Sequence, residues 1–188
     1  MEVLENILAK SVNYGSISLL DHTRQVVDAI TLFANSFYTK FNEDLAIKGA
    51  VLHDLGKAHP AFQQKIKQIN AKSILEEREQ SIIHRHELSS LAFLPVFPKN
   101  DWPAIIEMVV AHHKSIKNDT KERGVLDLDN NYRNWIDNHL KDWDNWNQYG
   151  LAIIKEFGFE AIEITKEEAT KALQYVVEYC ENKTKGWS

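Results

Sequence analysis

An adjacent His53-Asp54 pair stands at the end of the apolar run Ala50-Val51-Leu52, and Leu55-Gly56-Lys57 follows at once. From Leu45 to Leu55 nearly every residue is apolar, and a helix that is apolar almost all round is a buried one. A buried imidazole beside a buried carboxylate needs partners or a metal, because an unpaired buried charge is costly. Four more histidines, His22, His86, His112 and His113, lie on or at the ends of apolar helical segments. Each alone fits a hydrogen-bonded core histidine, and Glu87 beside His86 fits a first-turn helix acid. Together, five imidazoles and one carboxylate in a common core are unfavourable unless something gathers them, and a metal does so. Imidazole with carboxylate is a good ligand set for Zn, Fe, Ni, Mn or Co and a poor one for Ca. Six ligands are too many for one catalytic ion with an open position. Two ions bridged by Asp54 fit better, and two ions ~3.5–4 Å apart suit phosphodiester cleavage. Lys57 could hold a phosphate oxygen as a point charge or simply complement a helix C-terminus.

The elements that must position these groups read as helices. Seven Gly and four Pro in 188 residues are few breakers, which disfavours a many-turned β fold. Residues 2–10 predict a short helix and 11–18 a loop. A long helix is predicted over 19–39, with His22, Val26, Ile30, Phe33 and Phe37 on one stripe that points His22 inward. Asn42 suits the cap of a helix over 43–57, with Glu43 and Asp44 in its first turn. That helix carries His53 and Asp54 near its C-terminal end. Pro60 opens a helix of about 60–70, with Lys65, Lys67 and Lys72 on the exposed side, and 71–84 is in part loop. Arg85-His86-Glu87 opens an apolar helix over about 86–97, ended by Pro98. Asp101 suits the cap of the next, whose inward stripe is Trp102, Ile106, Val109 and His113, with Ile105 and His112 beside it. Residues 114–130 are polar, and helices follow at about 131–140, 142–157 and 165–182. Thr165 and Glu168 make a capping box for the last. Phe157 to Ile164 is the one run with ambiguous strand character. The expected fold class is all-α, a helical bundle with the metal site in its core.

The totals bound the rest. With 44% hydrophobic and 26% charged residues the chain is an ordinary globule, one domain with enough length for a real core. A net charge of −5 makes a general DNA coat a poor reading, since non-specific affinity comes from neutralising phosphates. The single cysteine, Cys180, allows no intrachain disulfide and fits a reducing cytoplasm. The N-terminus lacks an apolar signal core, and no apolar run approaches a membrane span.

The His-Asp helix with its flanking histidines resembles the HD phosphohydrolase superfamily. In more detail, His53-Asp54-Leu55-Gly56-Lys57 with Phe62-Gln63 resembles the HD-Gly-Lys-x-x-x-x-Phe-Gln signature of the CRISPR-associated HD nuclease domain, part of the type I interference helicase-nuclease. Arg85-His86-Glu87 matches its Arg-His-Glu element, Ala111-His112-His113 its His-His element, and His22 its first histidine, over roughly residues 20–115. The resemblance implies metal-dependent endo- and exonucleolytic cleavage of single-stranded DNA, with a helicase, fused or separate, feeding the strand after a crRNA-guided surveillance complex marks the target. It implies that His22, His53 and Asp54 hold one transition-metal ion, and that Asp54, His86, His112 and His113 hold the other. Mn, Ni, Co, Fe or Zn suit this better than Mg. The family closes its first site with an Asp in a later helix. No such motif is found here, since Asp119, Asp127 and Asp129 follow His113 too closely. Residues 1–188 are therefore expected to be a single HD nuclease domain lacking a closing C-terminal segment.

The expected function is a metal-dependent single-strand deoxyribonuclease of type I CRISPR interference, cytoplasmic, with Asp54 and Lys57 as catalytic residues. Its expected partners are single-stranded DNA, a helicase and the surveillance complex. Two rivals share the metal core: an HD phosphohydrolase of nucleotides or cyclic dinucleotides, and a cleavage-inactive metal-binding docking module. The aromatic residues Tyr132, Trp135, Trp143, Trp146 and Tyr149 could stack bases, but their helical spacing favours core packing. Lys114, Lys117, Lys121 and Arg123 could line a DNA path or a solvated loop.

Overall fold

Helices account for the architecture, because the apolar residues recur at helical spacing and must all reach one core. The structure, a computed structural model, describes residues 2–10, 15–37, 40–68, 84–112, 132–160 and 162–185. The helices are α1 (Glu2–Glu5), α2 (Leu19–Phe37), α3 (Glu43–Leu52), α4 (Pro60–Gln68), α5 (His86–Ser90), α6 (Trp102–Ala111), α7 (Tyr132–His139), α8 (Trp143–Glu156) and α9 (Lys166–Lys185). Short 3-10 segments run over Leu55–Ala58, Leu91–Val96 and Lys99–Asp101. No strand occurs among the described residues beyond one isolated Leu8–Ser18 bridge. The all-α expectation holds.

The core is built where α9 lies on the Leu91–Val96 segment and where α3 packs on α2 and α6. Phe93, Trp143 and Trp146 are fully buried at its centre. Both indole N–H groups are satisfied, Trp143 donating to the Ile164 carbonyl and Trp146 to the Lys141 carbonyl. These two tryptophans are therefore core, as their spacing favoured, and cannot stack a base. Trp135 and Tyr149 are half-buried against the core, and the Tyr132 side chain lies outside the described residues.

Two capping expectations hold: Asn42 accepts the Leu45 N–H at 3.1 Å, and Thr165 with Glu168 forms the reciprocal box. Other boundaries need correction. The first helix stops at Glu5, since residues 7–9 turn extended to bond with 17–19 through Ala9 N–H to Ile17 O and Leu19 N–H to Ile7 O. Asp101 makes no side-chain cap and instead accepts a bond from Lys48. The apolar run after His86 tightens from α to 3-10 over Leu91–Val96, a stretch that contains Pro95, which has no N–H to continue an α ladder. Phe157 to Ile164 forms no strand among its described residues, and Gly158 takes a left-handed turn there, φ +80°. Residues 38–39, 69–83 and 113–131 lie outside the described set. So do the expectations placed there: His113, Lys72, Lys114, Lys117, Lys121, Arg123 and the three aspartates 119, 127 and 129.

The correction that matters most concerns the helix expected over 43–57. It ends at Leu52, with His53 as its C-cap, and Asp54 breaks it at φ −119°, ψ 2°. An uninterrupted helix would send the Gly56 N–H to the Leu52 carbonyl. It goes to the Ser90 hydroxyl at 2.8 Å instead. A tertiary hydrogen bond thus diverts the chain, and Asp54 projects from the corner.

Candidate metal centre

Four histidines from four places in the chain converge on the carboxylate of Asp54. His22 comes from the first turn of α2, His53 from the α3 C-cap, His86 from the start of α5 and His112 from the α6 C-cap. Asp54 Oδ2 lies 2.9 Å from His22 Nε2 and 3.2 Å from His53 Nε2. Oδ1 lies 3.1 Å from His86 Nε2 and 3.6 Å from His112 Nε2. One carboxylate oxygen therefore serves each pair of histidines, the division expected of a bridging ligand. His113 lies outside the described residues.

The way the rings are held supports a cation between them. His53 Nδ1 sits 2.5 Å from the Ala50 carbonyl, and His112 Nδ1 sits 2.5 Å from the Val109 carbonyl. A carbonyl can only accept, so each Nδ1 carries the proton, and in the neutral ring Nε2 turns a lone pair towards Asp54. Ligating histidines are usually oriented in this way by a partner on the other nitrogen. Lone pairs aimed at a carboxylate repel unless positive charge stands between them. Asp54 Oδ1, moreover, is buried and makes no hydrogen bond.

Spacing gives an independent test of fit. Two donors ~2.0–2.1 Å from one ion at the tetrahedral angle stand about 3.3 Å apart. His22 and His53 Nε2 are 3.4 Å apart, and their separations from Oδ2, 2.9 and 3.2 Å, are slightly shorter than that value. His22, His53 and Asp54 form one group of mutually close donors, and Asp54, His86 and His112 form a second. The residues present fit two divalent ions sharing one carboxylate. Access is graded as a working site requires: the Asp54 side chain is 3% exposed, while His22 and His112 are 18% and 22% exposed.

Electrostatics agree. Burial works to raise the Asp54 pKa, but hydrogen-bond contact with the rings of His112, His22, His53 and His86 outweighs it and holds the carboxyl far below the usual carboxylate range. A ring whose Nδ1 proton is held by a carbonyl does this only with positive charge at Nε2, a second proton or a metal in its place. Asp54 is thus an anion ready for a cation. Lys57 fills part of that need, with Nζ 2.7 Å from Oδ2. Of the two roles weighed for Lys57 from sequence, neither is the contact seen, which is an ion pair with the bridging residue. Glu87 is more than a first-turn acid: it is buried and paired with Arg85 Nε. Its pKa is lowered because the Arg85 charge outweighs desolvation.

Several residues take a positioning role that the sequence did not assign: Ser90 was not singled out, and Gly56, Phe62 and Gln63 stood only within the family signature. The Ser90 hydroxyl accepts the Gly56 N–H and lies 3.2 Å from the His53 carbonyl and 2.9 Å from the His86 carbonyl, tying both halves of the centre together. Gly56 packs so closely that a Cβ there would meet the His86 carbonyl oxygen at 2.0 Å. Gln63 is buried and clamps the corner, donating to the carbonyls of Lys57 and Leu8 and accepting the Leu8 N–H. The Phe62 ring meets His86 edge-on at 5.1 Å. The available signal was polarity in the wrong place: Ser89-Ser90 and Gln63 are polar residues at core positions.

A second histidine cluster lies behind the first. His59 and His84 stack at 4.3 Å, and His84 and His139 at 5.3 Å. His59 Nδ1 accepts the Ala61 N–H, His84 Nε2 meets the Ser89 hydroxyl, and His139 Nε2 accepts the Arg85 N–H. These three were not singled out from sequence, because none lies at the end of an apolar helix in the way the ligand set does.

Comparison with known proteins agrees with this geometry. Neither a curated protein nor a solved structure matches the chain. A family model described as "Cas3, HD domain" matches residues 18–180, which contain every described member of the centre. No helix among the described residues is long and apolar enough to cross a membrane. With the match spanning most of the chain and the His-Asp centre assembled inside it, the chain belongs to the Cas3 HD-domain family, the metal-dependent HD nucleases of type I CRISPR systems.

Proposed function

We propose that this chain is a single HD domain that hydrolyses phosphodiester bonds of single-stranded DNA during type I CRISPR interference, working with a helicase and a crRNA-guided surveillance complex in the cytoplasm. The observation that carries the reading is the division of Asp54, one oxygen to His22 and His53 and the other to His86 and His112. Two transition-metal ions held there, from Mn, Ni, Co, Fe or Zn, would supply Lewis-acid activation of water and charge neutralisation at the phosphodiester.

The chain's own groups do the rest. Asp54 and the four described histidines, with His113 as a further ligand of the second group, set the spacing of the two sites. Three described donors per group leave positions open for water and substrate. The backbone carbonyls of Ala50 and Val109 keep the Nδ1 protons in place and the Nε2 lone pairs inward. Lys57 compensates the Asp54 charge when the centre is empty of cations, and turns to a phosphate oxygen when they are bound.

The test is cleavage of circular single-stranded DNA by metal-stripped protein refilled with Mn, Ni, Co or Mg, beside Asp54→Ala. Nicking that needs a transition metal and vanishes in Asp54→Ala is expected. Hydrolysis of nucleotides or cyclic dinucleotides with the circle left intact would instead assign the chain to small phosphate esters. Metal uptake with no cleavage of any substrate would make it a docking module.

A further inference from the structure

The α2 stripe expected to be core is only partly covered. The face of α2 that enters the core is Leu19, Leu20 and Thr23. Val26 and Ile30 are half-buried, and Phe33 is 46% exposed. With Phe41 and Lys10 they line an open groove of about 450 Å³ that ends at His22. Phe33 and Phe41 meet edge to face, ring centroids 5.4 Å apart.

Three features say what this groove takes. It is continuous with the metal centre, because His22 is at once its end wall and a donor 2.9 Å from Asp54. A strand whose phosphodiester rests on the centre must run on somewhere, and from His22 to Phe33 the helix offers about 16 Å of path. The lining is apolar and aromatic, with two ring systems for bases to meet. In a chain of net charge −5, none of the described residues lining it is acidic, and Lys10 adds a cation.

We propose that the groove between α2 and Phe41 is a subsite for the unpaired nucleotides flanking the scissile phosphodiester, with bases stacking on Phe33 and Phe41 and Lys10 contacting a phosphate. This rests on the single-strand nuclease reading of the adjacent centre and gives that reading a strand path and a reason to prefer unpaired DNA. A paired base has its faces occupied by its neighbours in the duplex and cannot enter.

The experiment measures binding, so that it does not depend on cleavage. The metal-free full chain is titrated against a fluorescein-labelled oligothymidylate of about a dozen nucleotides, a length within the range such surfaces cover, and anisotropy is read. Phe33→Ala and Phe41→Ala are each expected to weaken binding between about 5- and 150-fold, the loss of one stacked base. Phe33→Tyr keeps the ring and the affinity, whereas Phe33→Leu keeps only the apolar bulk and loses it. Lys10→Ala is expected to lower the slope of log affinity against log salt by about 0.7. Tyr175→Ala, at an exposed aromatic on α9, changes nothing. Thermal melting checks that each variant is folded.

Affinity unchanged in Phe33→Ala and Phe41→Ala, equal binding by Phe33→Leu, or no binding by the wild type overturns the subsite; unchanged affinity would leave the groove to a protein surface. If the oligonucleotide binds through the two phenylalanines but the metal-loaded chain cuts no DNA, the nuclease reading fails alone. If it cuts and both variants bind as the wild type does, the subsite fails alone.

Discussion

Four histidines ring the carboxylate of Asp54, while three others, His59, His84 and His139, stack on one another a short distance away. The residue type is the same, yet burial and chemistry differ: His22, His53 and His86 are half-buried and His112 is exposed, whereas His59 and His139 are buried. Around Asp54 the ring nitrogens aim at an anion, and two of them have their opposite nitrogen fixed by a backbone carbonyl. In the stack, burial first, and then the neighbouring imidazoles, press protonation down: His59 falls to about 4 and His84 to about 2. His139 also falls, chiefly through burial. His59 Nε2 and His84 Nδ1 have no hydrogen-bond partner among the described groups. Around Asp54 a carboxylate supplies the charge that favours a cation, and the rings present their Nε2 atoms to one point. The stacked rings face one another instead, and burial outweighs the pull of Asp142 on His59 and of Glu87 on His139.

The sharpest way to break this contrast is to delete the anion. Asp54→Ala is expected to abolish metal binding, read by elemental analysis after dialysis. It should lower single-strand cleavage by roughly 10⁴-fold or more, the scale of losing one member of a catalytic unit. His59→Gln should leave the metal content intact. Equal metal loss in both variants would erase the distinction between the clusters.

Next in size is the joint that holds the two halves of the centre together. Gly56→Ala places a Cβ against the His86 carbonyl oxygen. Overpacking of this kind costs about 3 kcal/mol, which lowers Tm by about 6–12 °C in a chain of this size. Calorimetry on metal-free protein reads it directly, and an unchanged Tm would mean that the 3-10 turn is free to move.

The stack makes stability depend on pH. The His59 pKa is about 4 when folded against ~6.5 when unfolded, so the unfolded chain takes up the proton first as pH falls. Its contribution is whole above ~6.5 and is lost progressively down to about 4, about 2 kcal/mol by pH 5. Urea denaturation of metal-free protein should show the decline, and His59→Gln should make it shallower. A slope unaltered by His59→Gln would place its origin elsewhere.

The smallest effect concerns Lys57, whose ammonium competes for Asp54 Oδ2. Lys57→Met should tighten binding of the first metal by about tenfold, or ~1.4 kcal/mol, while reducing cleavage. Weaker metal binding in this variant would show that the lysine supports the centre rather than competing with cations.

Much of this was legible in the residues. Few breakers and helical periodicity led to the all-α class, and His22, His53, Asp54, His86 and His112 were identified because each sits on or beside an apolar helical segment. Side-chain type and helical phase are local properties, and sequence displays them. Ser90 and the stacked histidines were not legible, and Phe62 and Gln63 were legible only as signature residues without their contacts, because all of them act through partners distant in the chain, such as Gln63 with Leu8.

By itself, then, the sequence determined which side chains are the candidates for chemistry and that helices present them, since both follow from composition and period. Only the tertiary structure decided the break after Leu52, because the Gly56 N–H is satisfied by Ser90 and not by its own helix. It alone decided which oxygen of Asp54 meets which histidines, and that the Val26–Ile30–Phe33 stripe borders a groove. The physical reason is common to all three. They depend on how separate helices pack, and periodicity within one helix says which face is apolar without saying what will cover it.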